Sequence, residues 1–158
     1  MKQVFINLFL CILFSFIVKK AYADAKHDLM VFKTPTCGCC QLWIDHVELN
    51  GFNTQIRDQQ SLENIKNILG IPSNHRSCHT AVSRSGHAFE GHVPAKYISQ
   101  FLSDKHENAI GLAVPAMPVG SPGMEVGDQF RPYQIRIMFK DGTSKVYATI
   151  DDYVEQFE

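Results

Sequence analysis

The sequence predicts a single α/β domain built on a mixed central sheet with flanking helices, and three observations carry that prediction. Short apolar runs alternate with helical patterns through the first half of the chain. A Cys37-x-x-Cys40 pair stands where the first strand gives way to the first helix. Near the C-terminus, Asp141-Gly142 separates two strand-like segments and marks a β-hairpin.

The first 23 residues stand apart from that domain. Lys2 is a short positive n-region, residues 4–18 form an almost unbroken apolar run, and Ala21-Tyr22-Ala23 offers a small-x-small cleavage site before Asp24. This pattern predicts a secretory signal peptide over residues 1–23 and one mature domain over residues 24–158. The run is short for a membrane span, which takes about 20 apolar residues. Lys19 and Lys20 beside the cleavage site are unusual, and leave an uncleaved anchor as the alternative. Cleavage discards Cys11 and removes Lys2, Lys19 and Lys20 but no acid, so a chain of formal charge −1 becomes more acidic. The lack of a basic patch argues against nucleic-acid binding. Cys37, Cys39, Cys40 and Cys78 remain, and an exported chain carries them into an oxidising compartment where free thiols are a liability.

The elements follow in order. Residues 28–33 are a short apolar run ending at Thr34-Pro35-Thr36, a buried strand entering a loop. Thr36 is placed to cap a helix that runs from the cysteines to about Asn50, where Asn50-Gly51 supplies a stop. Cys39, Trp43 and His46 share one face of it. Residues 53–58 read as a second strand. Ser61-Leu62-Glu63-Asn64 opens a second helix with Leu62, Ile65, Ile68 and Leu69 on its apolar face, ended by Gly70 and Pro72. Ser77-Cys78-His79-Thr80 is a loop entering a third strand, Ser85-Gly86 is a turn, and residues 87–92 are the antiparallel partner. Pro94 suits the first turn of a third helix, striped by Tyr97, Ile98, Phe101 and Leu102. Residues 108–132, rich in Gly and Pro around Met117 and Met124, read as one long loop, a length that in a compact domain points to function. Residues 134–139 and 144–149 flank Asp141-Gly142. No internal repeat or second domain is visible.

The order βαβα–ββα with Cys-x-x-Cys at the head of the first helix is that of the thioredoxin-like fold. That architecture brings the loop entering the third strand beside the dithiol, and with it Cys78 and His79. Thioredoxin-like proteins carry a cis-proline at that loop. Here Cys78-His79-Thr80 replaces it, so a potential ligand stands where a peptide-binding feature would be.

A helix N-terminus lowers thiol pKa values, and a thiolate is both a redox nucleophile and a soft metal ligand. The inserted Cys39 exceeds what a dithiol needs and points to metal. The soft and borderline donors that a thioredoxin-like fold could bring together are Cys37, Cys39, Cys40, Cys78, His46, His79, His92, Met117 and Met124. Thioether sulfur favours copper over zinc. The donor count also exceeds what one ion uses, so the expectation is a multinuclear copper–thiolate site. Plainer readings stand beside it. The cysteines suit a structural disulfide or zinc site, Met117 and Met124 suit core gaps, and His46 suits a cap on the last turn of its helix. His92 suits a structural histidine, Trp43 core packing against the third strand, and His27, His75, His87 and His106 a solvated surface.

Four motifs in one order resemble those of the CopG-type periplasmic proteins, which are unrelated to the DNA-binding repressors of that name. They are Thr34-Pro35-Thr36-Cys37-Gly38-Cys39-Cys40-x-x-Trp43-x-x-His46, Cys78-His79-Thr80-Ala81, Glu90-Gly91-His92-Val93-Pro94-Ala95, and Gly111-Leu112-Ala113-Val114-Pro115 continuing to Gly123-Met124-Glu125. The resemblance spans residues 30–147. It implies a thioredoxin-like fold, a periplasmic location, copper handling linked to resistance and interconversion of Cu(I) and Cu(II). The implied ligands are Cys37, Cys39, Cys40 and Cys78, joined by His46, His79, His92, Met117 and Met124. Implied partners are copper ions, other envelope copper carriers and an efflux system. Three functions stay open: a copper oxidoreductase, a thiol–disulfide oxidoreductase in which Cys37 attacks and Cys40 resolves, and a non-catalytic copper chaperone.

Overall fold

The computed structural model describes residues 28–157. The expected signal peptide lies outside the described residues, as does His27. Among those described, no helix is long and apolar enough to cross a membrane.

Among the described residues, seven strands form one mixed sheet in the order β2-β1-β3-β4-β5-β6-β7. Strand β1 (Asp28–Lys33) buries Leu29 and Val31 completely and pairs in parallel with β2 (Asn53–Asp58). Helix α1 (Gly38–Leu49) makes that crossover, and Asn50 and a left-handed Gly51 end it. On its other side β1 pairs antiparallel with β3 (Thr80–Ser83), which pairs antiparallel with β4 (Ala88–Glu90). The short α2 (Glu63–Ile68) lies between β2 and β3. Helix α3 (Ala95–Ser103) crosses from β4 to β5 (Ala109–Ala113), which is parallel to β4. Strands β6 (Tyr133–Phe139) and β7 (Ser144–Ile150) close the sheet as the expected hairpin. The Asp141 carboxylate holds its turn by accepting from the Thr143 amide at 2.9 Å and hydroxyl at 2.7 Å. A 3-10 turn, Tyr153–Gln156, ends the described chain. The expected βαβα–ββα order thus runs from β1 to α3.

Helices α1 and α3 bury Trp43, Ile44, Val47, Ile98 and Phe101 with Leu29, Val31, Phe89 and Leu112 in the main core. A smaller cluster of Ile71, Ala88, Ala113 and Met138 fills the α2 side. Neighbouring residues of β4, Ala88 and Phe89, thus serve opposite faces, as strand geometry requires.

Several elements depart from the sequence expectation. The loop expected over residues 108–132 is shorter, because residues 109–113 are β5. That strand is covered on both faces and shows no alternation, and a Cβ on its Gly111 would overlap the Ala88 carbonyl. Thr36 is not the cap of α1; Cys37 holds that position without a side-chain cap bond. Pro94 is the N-cap of α3 rather than a residue of its first turn. On α2, Leu62 is buried as expected, but Ile68 is 71% exposed, and the buried residue of the helix is Lys66. His75 and His106 are not solvated: His75 is buried between Asn74 and Ser144, and His106 stacks on Phe101 at 4.4 Å.

Candidate metal centre

The first turn of α1 presents the cysteines. Cys37 and Cys40 form a disulfide with their Cα atoms 5.3 Å apart, while Cys39 and Cys78 are free thiols. Cys39 Sγ lies 3.6 Å from Cys37 Sγ, and Cys40 Sγ lies 3.8 Å from the Cys78 carbonyl oxygen. All four sulfurs fall within 4.8 Å of one another. The loop entering β3 therefore reaches the dithiol.

A second group shares Cys78. Its sulfur is 3.1 Å from His92 Nε2 and 3.3 Å from His79 Nδ1, and these atoms also lie within 4.8 Å of one another. His92 Nδ1 donates to the Pro122 carbonyl at 2.8 Å. A carbonyl only accepts, so the Nδ1 proton is fixed and Nε2 of the neutral ring turns its lone pair to Cys78. Burial lowers the pKa of His92 and, further, that of His79, where His92 and Lys66 add to the effect. Both rings are thus held neutral, the form that binds metal. His79 Nε2 is buried without a hydrogen-bond partner. Burial, with Cys39 beside it, pushes the Cys78 thiol up to about 12. Trp43 walls the site: its ring centroid is 4.3 Å from that of His79 and its Nε1 donates to the Val93 carbonyl at 2.8 Å.

The long loop, residues 114–132, packs back on this corner. Gly123 is left-handed, and a Cβ there would come within 2.7 Å of the Trp43 amide nitrogen and 2.8 Å of the Cys39 carbonyl. Only glycine lets the loop lie this close to α1. Met124 follows it and is half-buried. Ser77 Oγ donates to the Ala116 carbonyl at 2.7 Å, which brings the backbone before Met117 beside Cys78, although Met117 itself is 48% exposed. His46 lies outside both donor groups. Its Nε2 accepts from the Ala95 amide at 3.0 Å, so it caps the start of α3 and not the end of its own helix.

Sequence reasoning passed over Lys66, Ser77, Glu90 and the Pro122 carbonyl. A signal for Lys66 existed: it falls four residues after Leu62, on the face expected to be buried. Glu90 was visible only as a motif letter.

Two solved structures, named as forms 1 and 2 of the copper resistance protein CopG, superpose on this fold with a TM-score of 0.74 each. Each is 39% identical, with 79% of this chain and 98% of the other covered. The chain belongs to the CopG family. The profile described as "Protein of unknown function, DUF411" matches residues 75–124. That window of the CopG-family chain holds Cys78, His79, His92, Met117 and Met124 but not the Cys37-x-Cys39-Cys40 turn, which joins them only through the packing of α1 beside the β3 loop. No curated protein sequence matches the chain at a significant level.

Proposed function

We propose that this CopG-family chain is a periplasmic copper-binding protein of copper resistance, holding more than one copper as cargo and interconverting Cu(I) and Cu(II). The observation that carries the reading is the double membership of Cys78, whose sulfur belongs both to the four-sulfur group and to the Cys78–His79–His92 group. Sulfur donors favour Cu(I), and imidazoles suit both oxidation states, so adjoining sets form a place where either state is held. Met117 and Met124 add thioether sulfur from the loop. His46 serves the fold through its bond to Ala95. Delivery by a cleaved signal peptide, and exchange with other envelope copper carriers or an efflux system, complete the reading.

The Cys37–Cys40 disulfide supplies the redox link. Its reduction takes two electrons and two protons and frees two thiols, which completes the four-thiol set. In reverse, the dithiol yields two electrons as the disulfide forms, the number needed to take two Cu(II) ions to Cu(I). The test is copper per chain after thiol reduction and anaerobic Cu(I) loading with zinc in competition. Two or more coppers that zinc does not displace are expected; a single zinc preferred over copper would sink the proposal.

The disulfide also favours a second reading, a thiol–disulfide oxidoreductase using Cys37 and Cys40. Cys39→Ser separates the two. It leaves disulfide exchange unchanged in the second reading and lowers the copper count in the first.

A further inference from the structure

Among its described residues, the CopG-family chain buries one complete ion pair beneath the candidate metal centre. Lys66 of α2 and Glu90 of β4 are 4% and 0% exposed at their side chains and are directly bonded. Their other hydrogen bonds go to Ser77 and Thr80. Glu90 Oε1 accepts from the Ser77 amide at 2.6 Å and Oε2 accepts from the Thr80 hydroxyl at 2.6 Å. Lys66 Nζ donates to the Ser77 carbonyl at 3.0 Å and lies 3.1 Å from Thr80 Oγ1, to which it also donates. Ser77 and Thr80 bracket Cys78 and His79.

A buried ion pair is a poor way to gain stability, because desolvation offsets its attraction and apolar residues of similar size often serve as well or better. Placement accounts for it better. The corner contains no proline to stiffen it, and Cys78 must face two donor groups at once. We infer that Lys66 and Glu90 are positioning residues of the metal centre, clamping the Ser77–Thr80 corner so that Cys78 Sγ is aimed at the thiol cluster and at His92 together. This rests on the proposed function only in taking Cys78 as a copper ligand.

The test is the paired variant Lys66→Met/Glu90→Leu, which removes both charges and strands neither, made with and without Cys78→Ser. Cu(I) affinity is read by competition with a chromophoric chelator, and thermal melting checks the fold. Loss of groups that orient a ligand typically weakens metal binding by about 10- to 100-fold. A drop of that size is expected with Cys78 present, and none where Cys78→Ser has already removed the thiol, the signature of coupled sites. Equal drops in both backgrounds, or no drop, would overturn the inference. If Cys78→Ser alone leaves Cu(I) affinity unchanged, copper ligation by Cys78 fails instead. The clamp is then judged in metal-free protein by site-resolved alkylation: faster Cys78 labelling in the paired variant supports it, and an unchanged rate overturns it. Should the paired variant not fold, Thr80→Val cuts the two hydroxyl ties, to Lys66 and to Glu90, with the charges still paired. It is expected to weaken Cu(I) binding by a smaller factor, and an unchanged affinity again overturns the clamp.

Discussion

The Cys78 thiol keeps its proton through the neutral range, because burial and the adjoining Cys39 push its pKa up to about 12. In the proposed function copper binds the thiolate, so uptake at this residue would displace a proton. Apparent Cu(I) affinity is therefore expected to rise between about pH 6 and about pH 8, roughly tenfold per pH unit for each thiol proton displaced. A flat profile in a competition titration would place Cys78 outside the copper shell. His46 runs the other way. Burial, only partly offset by Glu125, lowers its pKa from 6.5 to about 4. The unfolded chain then takes up a proton that the folded protein refuses, so the stability this residue contributes is complete above pH 6.5 and declines as pH falls toward 4. The slope reaches at most about 1.4 kcal/mol per pH unit. In metal-free protein, His46→Gln is expected to flatten that acid limb in denaturant titrations. It is also expected to cost about 1 kcal/mol at neutral pH through a weaker bond to the Ala95 amide. An acid limb identical to the parent's would exclude His46 as its source.

Helix α1 and the loop over residues 114–132 meet at Gly123, and the strength of that seam is open to measurement. Gly123→Ala places a methyl against the Trp43 amide and the Cys39 carbonyl in a backbone conformation that side chains avoid. It is expected to destabilise the fold by about 1–3 kcal/mol. It should also weaken copper retention with every cysteine and histidine still in place. Unaltered melting and copper retention together would mean that the loop does not bear on α1. The elements differ in how far sequence announced them. Strand β1, helix α1 and the β6–β7 hairpin carry strong local signals: an apolar run, a cysteine turn with an Asn50-Gly51 stop, and an Asp141-Gly142 turn. Strand β5 carries none, since small residues covered on both sides have neither alternation nor bulk. Helix α2 misled for a different reason. Its buried face includes a charge, and an apolar stripe is a poor guide where Lys66 goes inward to meet Glu90 on a distant strand.

The whole molecule brings together donors from α1, the β3 loop and the turn after β4, with the long loop packed against them. The local motifs named the cysteines, and the fold order put Cys78 beside them. Nothing in spacing alone separates His92, which faces Cys78, from His46, which turns to α3; that depends on tertiary hydrogen bonds. The disulfide makes the assembled site sensitive to redox state. Protein with Cys37 and Cys40 bonded is expected to hold fewer coppers than reduced protein, and equal counts by elemental analysis would contradict this. Trp43, the only tryptophan of the chain, reports on the same event. Metal arriving beside His79 should quench its fluorescence, and His79→Ala should reduce the quenching.

Strand β2 forms one outer border of the sheet, and every residue of it is exposed or half-exposed. Such a border has free N–H and C=O groups that can recruit a strand from another molecule. Here Asn53, Gln55, Arg57 and Asp58 line it, with the Asp58 carboxylate held by Lys33 at 3.0 Å. The opposite border is β7, whose pairing with β6 is interrupted between Ile135 and Arg136. Mostly polar side chains at one margin, where Ile56 is the exception, and an irregular ladder at the other disfavour edge-to-edge pairing. A chain whose free thiols, Cys39 and Cys78, offer one route to cross-linking thus narrows the backbone route to association.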